Sequence, residues 1–130
     1  MNYDCLGMEK DERLLHMVRM MENFKVPVTL RQQPEAIIPF IYDVFLLMRD
    51  NSYHNFTHVT DVTQYMYTLL LATHVADKLE PIEVTAAFLG AVCHDLDHPG
   101  LSNTFQNNEN TPLSQITSAG SLSLSRCLRG

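Results

Sequence analysis

The sequence predicts an all-α fold, a helical bundle. Apolar residues recur at helical spacing through four segments of the chain, and no stretch alternates apolar and polar residues over a useful length. The helix-breaking stretches, Lys25-Val26-Pro27, Arg49 to Ser52, Asp77 to Pro81 and Pro99-Gly100, fall between those segments and not within them.

Residues 1–10 read as an unstructured lead-in. From Asp11 to Phe24, apolar residues at Leu14, Leu15, Met17, Val18, Met21 and Phe24 define a first helix, ended by Lys25-Val26-Pro27. Thr29 with Gln32 fits a capping box. The second helix is better started at Pro34, where a missing N–H costs nothing. Ile37, Ile38, Ile41, Val44, Phe45 and Met48 form its apolar stripe, and Pro39 predicts a late start or a kink. A third helix is expected from Asn55 to His74, burying Val59, Val62, Met66, Leu69 and Leu70. A fourth runs from Ile82 to Asp95, with Val84, Ala87, Phe88, Ala91 and Val92 apolar. Ser102 to Asn108 carries a further short helix. From Thr117 the chain turns to Ser, Leu and Gly without pattern and is expected to be poorly ordered.

At 130 residues one domain is the natural reading, and 45% hydrophobic content suffices for a core. The net charge of −6, with nine scattered basic residues, argues against a nucleic-acid surface. The longest apolar run, Ala86 to Cys93, is too short to span a membrane. The polar, acidic N-terminus does not read as a signal peptide, and Asn2 rules out myristoylation. Cys5, Cys93 and Cys127 form neither a disulfide framework nor a CxxC zinc pattern, so a reducing, cytoplasmic compartment is expected.

The chemistry concentrates between His54 and His98. His54 and His58 are four apart and share one face if helical, with Asp61 three further on. His94 and His98 repeat the spacing, with Asp95 and Asp97 between them. Each cluster alone has a plain explanation: two histidines bonding neighbours at a helix start, and a polar helix end. Asp61 reads equally as a partner orienting His58 or as a surface carboxylate. Both clusters, however, sit where apolar helices begin or end, and burying several His and Asp without a metal is costly. Imidazole with carboxylate suits a divalent cation. His16 reads as a helix-face residue, and His74 as a histidine near a helix C-terminus.

The two motifs, Tyr53-His54-Asn55-x-x-His58-x-x-Asp61-Val62 and His94-Asp95-x-Asp97-His98-Pro99-Gly100-x-x-Asn103, resemble those of the class I 3′,5′-cyclic nucleotide phosphodiesterases. That family belongs to the wider HD metal-phosphohydrolases. The resemblance spans residues 11–116 and is strongest over residues 53–106. It implies an all-helical catalytic domain that hydrolyses cAMP or cGMP to the 5′-monophosphate. It implies that His58, His94 and Asp95 are zinc ligands, with Asp95 bridging to a second ion, Mg2+ or Mn2+. It implies that His54 is the general acid that protonates the leaving O3′. His98 resembles a supporting histidine beside the metal site, Asn55 and Asn103 match supporting positions, and Tyr53 matches an aromatic at the pocket edge. A cyclic phosphodiester needs an attacking hydroxide, a sink for phosphoryl charge and an acid for the leaving oxygen. Two bridged cations and a near-neutral imidazole meet those needs.

The family also supplies a later aspartate ligand, a glutamine that holds the purine, and a hydrophobic clamp. None can be placed in residues 104–130. The resemblance therefore implies that residues 1–116 are the N-terminal part of such a domain, followed by a divergent tail at 117–130. Little hydrolysis is expected from these 130 residues alone. Marginal stability is expected too, with apolar faces exposed at Ile37, Ile38, Ile41, Val44 and Phe45 and at Val62, Met66 and Leu69. Two other readings are another HD-type phosphohydrolase and a non-catalytic fragment that binds metal or partner subunits.

Overall fold

The structure, a computed structural model, describes residues 7–117. The readings of the lead-in over 1–6, with Cys5, and of the tail over 118–130, with Cys127, lie outside the described residues. Among the described residues every regular element is helical. The chain divides into two compact units, Met1–His98 and Pro99–Gly130.

In the first unit, α1 spans Lys10–Asn23 and starts at a capping box in which Glu9 and Glu12 each accept from the other's backbone N–H. Lys25, in the left-handed region at φ 54°, ends this run. A short α2, Val26–Thr29, follows where the sequence pattern showed only a break; Pro27 lies in its first turn, where no hydrogen bond is lost. Thr29 does not cap a helix with Gln32: its hydroxyl donates back to the Lys25 carbonyl at 3.2 Å. A 3-10 turn at Pro34–Ala36 leads into α3, Ile37–Leu47. Pro39 is then the third residue of the α-helix, among the four that need no N–H partner, so the helix starts late instead of kinking.

Helix α4 spans Phe56–Ala72, and α5 spans Pro81–Cys93 behind a second capping box, Glu80 with Glu83. A 3-10 turn at Ala76–Lys78 lies between them. Helix α4 lies along α5, α1 packs on α3 and α4, and α2 bridges α1 and α5. Their shared core holds Met17, Met21, Ile41, Val59, Phe88 and Val92, all nearly inaccessible. Phe24 joins α1 to the α4–α5 layer, with ring centroids 5.4 Å from Tyr67 and 5.1 Å from Phe88.

Two expected faces shift. On α4 the buried stripe is Phe56, Val59, Thr60, Thr63 and Leu70, while Leu69 is exposed and Val62 and Met66 are half-buried. Thr60 and Thr63 enter the core because their hydroxyls bond the Phe56 and Val59 carbonyls, each at 2.8 Å, which satisfies them locally. On α3, Ile37, Ile41 and Val44 are buried against α1 and its neighbours and are not exposed as expected; the outward residues are Ile38, Tyr42, Leu46 and Leu47.

The second unit holds α6, Asn103–Asn108, capped by the Ser102 hydroxyl, which accepts from Phe105 N at 3.2 Å. Residues 112–117 are also helical, so Thr117 closes a helical stretch and does not open an irregular tail.

Candidate metal centre

The site grows from the N-terminus of α4 and the C-terminus of α5. Asn55 is the N-cap of α4: its side-chain oxygen accepts from the N–H groups of Thr57 at 3.0 Å and His58 at 3.2 Å. That fixes the first turn and aims His58 across at α5. At the other side, α5 ends at Cys93 and the chain continues in a turn. The Leu96 N–H bonds the Cys93 carbonyl at 3.1 Å, and His98 N–H bonds the Asp95 carbonyl at 3.0 Å. Asp97 takes a left-handed conformation, φ 56°, which ends the helix and turns the chain back.

Three ligand-type atoms converge there. His58 Nε2 lies 3.5 Å and His94 Nε2 3.3 Å from Asp95 Oδ2, and the two nitrogens are 3.4 Å apart. The His94 Nδ1 contacts the Ala91 carbonyl at 2.9 Å. A carbonyl only accepts, so Nδ1 carries a proton and Nε2 is the nitrogen left to face the cluster. Asp95 Oδ2 is buried and accepts no hydrogen bond. A buried carboxylate oxygen without a donor is costly, and a divalent cation is the partner this donor set suits. The residues thus fit a metal ion.

Asp95 also belongs to a second grouping with His54 and His98. The His54 and His98 rings stack with centroids 4.0 Å apart at 22°. Tyr53 lies 4.5 Å from the His58 ring and 5.0 Å from the His54 ring, centroid to centroid, and is exposed. Of the residues singled out in the sequence, His54, His58, His94, Asp95 and His98 therefore come together. Asn103 opens α6 in the second unit and is exposed. Asp61 is exposed and makes no bond to His58, so of its two readings the surface carboxylate holds.

Cys93, next to His94, is half-buried, and burial pushes its thiol pKa up, away from the thiolate a metal would require. His16 is half-buried with Nε2 3.2 Å from the Gln64 side-chain oxygen. His74 takes a left-handed conformation after α4 and meets Asp77 at 3.2 Å on the surface.

One residue escaped the sequence reading. Asn51 looked like part of a polar break, yet its side-chain Nδ2 donates to the carbonyls of His54 at 3.2 Å and His98 at 2.7 Å. The available signal was its type and place: an Asn in a break, three residues before a motif histidine, is suited to bond nearby backbone. Arg49 adds an exposed ion pair to Asp97 at 2.6 Å, which lowers the pKa of that carboxyl.

The pattern of the 3′5′-cyclic nucleotide phosphodiesterase family matches residues 53–122. The chain is 41% identical over 113 residues to the 3′,5′-cyclic-nucleotide phosphodiesterase regA of Dictyostelium discoideum, covering 86% of this chain and 14% of that protein. It is 35% identical over 107 residues to the cGMP-specific 3′,5′-cGMP phosphodiesterase 3 of the same organism, covering 82% and 23%. Among solved structures, the phosphodiesterase domain of the RhoPDE fusion protein from Salpingoeca rosetta superposes with a TM-score of 0.81 at 26% identity, over 89% of this chain and 36% of that one. LmjPDEB1 in complex with IBMX gives 0.73 at 30% identity, over 80% and 31%. The chain thus spans between about a seventh and a third of these relatives, and its helices are those of a phosphodiesterase catalytic domain. With the motifs, the convergent His and Asp side chains and a family match over more than half its length, this chain belongs to the 3′,5′-cyclic nucleotide phosphodiesterases.

Proposed function

We propose that this chain supplies the metal-holding and proton-donating part of a centre that hydrolyses 3′,5′-cyclic nucleotides, cAMP or cGMP, to 5′-monophosphates in the cytoplasm. The observation that carries the reading is the mutual approach, within 3.5 Å, of His58 Nε2, His94 Nε2 and Asp95 Oδ2. In this reading His58, His94 and Asp95 hold Zn2+, and Asp95 also faces a second ion, Mg2+ or Mn2+. When bound, the ions supply an activated water and a positive field for the phosphoryl oxygens. His54 holds the proton that goes to the leaving O3′, with its ring plane set by the stack on His98. Tyr53, exposed beside His54 and His58, forms the edge of the substrate's entry. Asn103 is assigned a supporting role from its motif position alone.

The test uses the purified chain and a chimera in which residues 11–116 replace the matching segment of the regA phosphodiesterase. Zn2+ uptake by the chain should be lost in His94→Ala and kept in His54→Ala. The chimera should turn over cAMP or cGMP, and His54→Ala should lower its kcat by about 10²–10⁴-fold with metal content intact. A chimera that folds and binds Zn2+ yet hydrolyses neither nucleotide would sink the proposal. So would His54→Ala emptying the zinc site.

A further inference from the structure

His54 and His98 both lie outside helical hydrogen bonding. His54 sits in the irregular segment between α3 and α4, and His98 follows the turn after α5. A stacked ring pair between two such segments gains from a tie between their backbones. Asn51 is that tie. Its amide has two N–H groups, and these serve the carbonyls of His54 and His98, one each. The backbone carbonyl of Asn51 in turn accepts from the Asn55 amide at 2.8 Å, and Asn55 caps the helix that carries His58. One residue therefore connects the start of α4, through its backbone carbonyl, with the backbones of His54 and His98, through its side chain. It bonds to none of the side chains of His58, His94 or Asp95.

We propose that Asn51 is a positioning residue: by joining the two carbonyls it sets the His54–His98 stack, and so the plane in which His54 presents its proton, without contributing to the metal triad. The inference rests on the acid reading of His54, but its structural readouts do not depend on turnover. Isosteric Asn51→Asp would set an acceptor against two carbonyl oxygens, and Asn51→Ala removes both donors.

The experiment is NMR on the labelled wild-type chain and these variants. Wild type should show a through-hydrogen-bond coupling from Asn51 Nδ2 to the His98 carbonyl carbon, and ring-to-ring NOEs between His54 and His98. In Asn51→Ala and Asn51→Asp those NOEs should vanish, while the His58–His94 NOEs and Zn2+ uptake persist. Arg49→Ala, which removes the exposed ion pair across the same segments, should leave the stack in place. In the regA chimera, Asn51→Ala should lower kcat toward the level of His54→Ala with KM unchanged. Persistence of the His54–His98 NOEs in folded variants overturns the proposal. Loss of the His58–His94 NOEs along with them also overturns it, because the role is then general and not positional. Where the variants fail to fold, the wild-type coupling decides: its absence overturns the tie.

Discussion

His94 shows how one backbone contact decides what a side chain can do. Its Nδ1 proton is committed to the Ala91 carbonyl, so the opposite nitrogen is the one turned toward His58 and Asp95. Nothing in the residue's identity says which nitrogen faces a ligand; the carbonyl three residues earlier in α5 settles it. His16 illustrates the opposite case, a histidine whose environment works against charge. Burial lowers its pKa below 6.5; the hydrogen bond to Gln64 opposes that and the nearby Arg19 adds to it. A depressed folded pKa means that the unfolded chain binds more protons as pH falls. The stability tied to neutral His16 is then fully present above 6.5 and is lost as pH drops from there toward the folded value. Thermal melts between pH 7.5 and pH 5 should therefore show a smaller loss of Tm in His16→Gln than in wild type. Equal slopes would show that His16 titrates alike in both states.

At the scale of elements, α4 is the one on which the site depends. Its first turn carries His58, and that turn is closed by the Asn55 side chain. Asn55→Ala should cost about 1 kcal/mol through loss of the cap. For a domain of this size that is a fall in Tm of about 3–5 °C. Asn55→Asp, which keeps the accepting oxygen, should lose less. Matched melting temperatures for the two variants would mean that the amide's donation to Asn51, and not the cap, carries the residue's contribution. The helices themselves were legible from apolar spacing, because burying one face imposes a period near 3.6 whatever the partner. Which apolar positions stay outside was less legible. Leu69 satisfies the period and is exposed, whereas Thr60 and Thr63 are buried. A hydroxyl that bonds its own helix's carbonyl counts as apolar toward the core, and a hydropathy pattern cannot register that. The α2 turn was hidden for a similar reason: Pro27 reads as a break but is acceptable at a helix start.

For the molecule as a whole, the metal and the fold should be coupled. The triad draws on the start of α4, the end of α5 and the turn after it, so an ion bound there joins elements far apart in sequence. A ligand present at 100 times its Kd stabilises the native state by about 2.7 kcal/mol. Zn2+ at that excess should raise Tm by about 8–13 °C, and His94→Ala should abolish the rise. An unchanged Tm on adding Zn2+ would mean that the three side chains do not hold the ion.

The sequence by itself determined the all-helical class, the four long helices and the identity of the motif residues, because apolar periodicity and fixed spacing along a helix are local properties. Family membership was legible for the same reason: the motifs are contiguous strings. Tertiary structure alone decided the rest. It brought His58 to His94 and Asp95, left Asp95 Oδ2 without a donor, and turned Asn51 from a loop residue into the link between two motifs. The contacts of His58 with His94 and Asp95 and of Asn51 with His98 join residues some 36 to 47 positions apart. The geometry of such contacts follows from how α4 packs along α5, and no local pattern in either segment contains it.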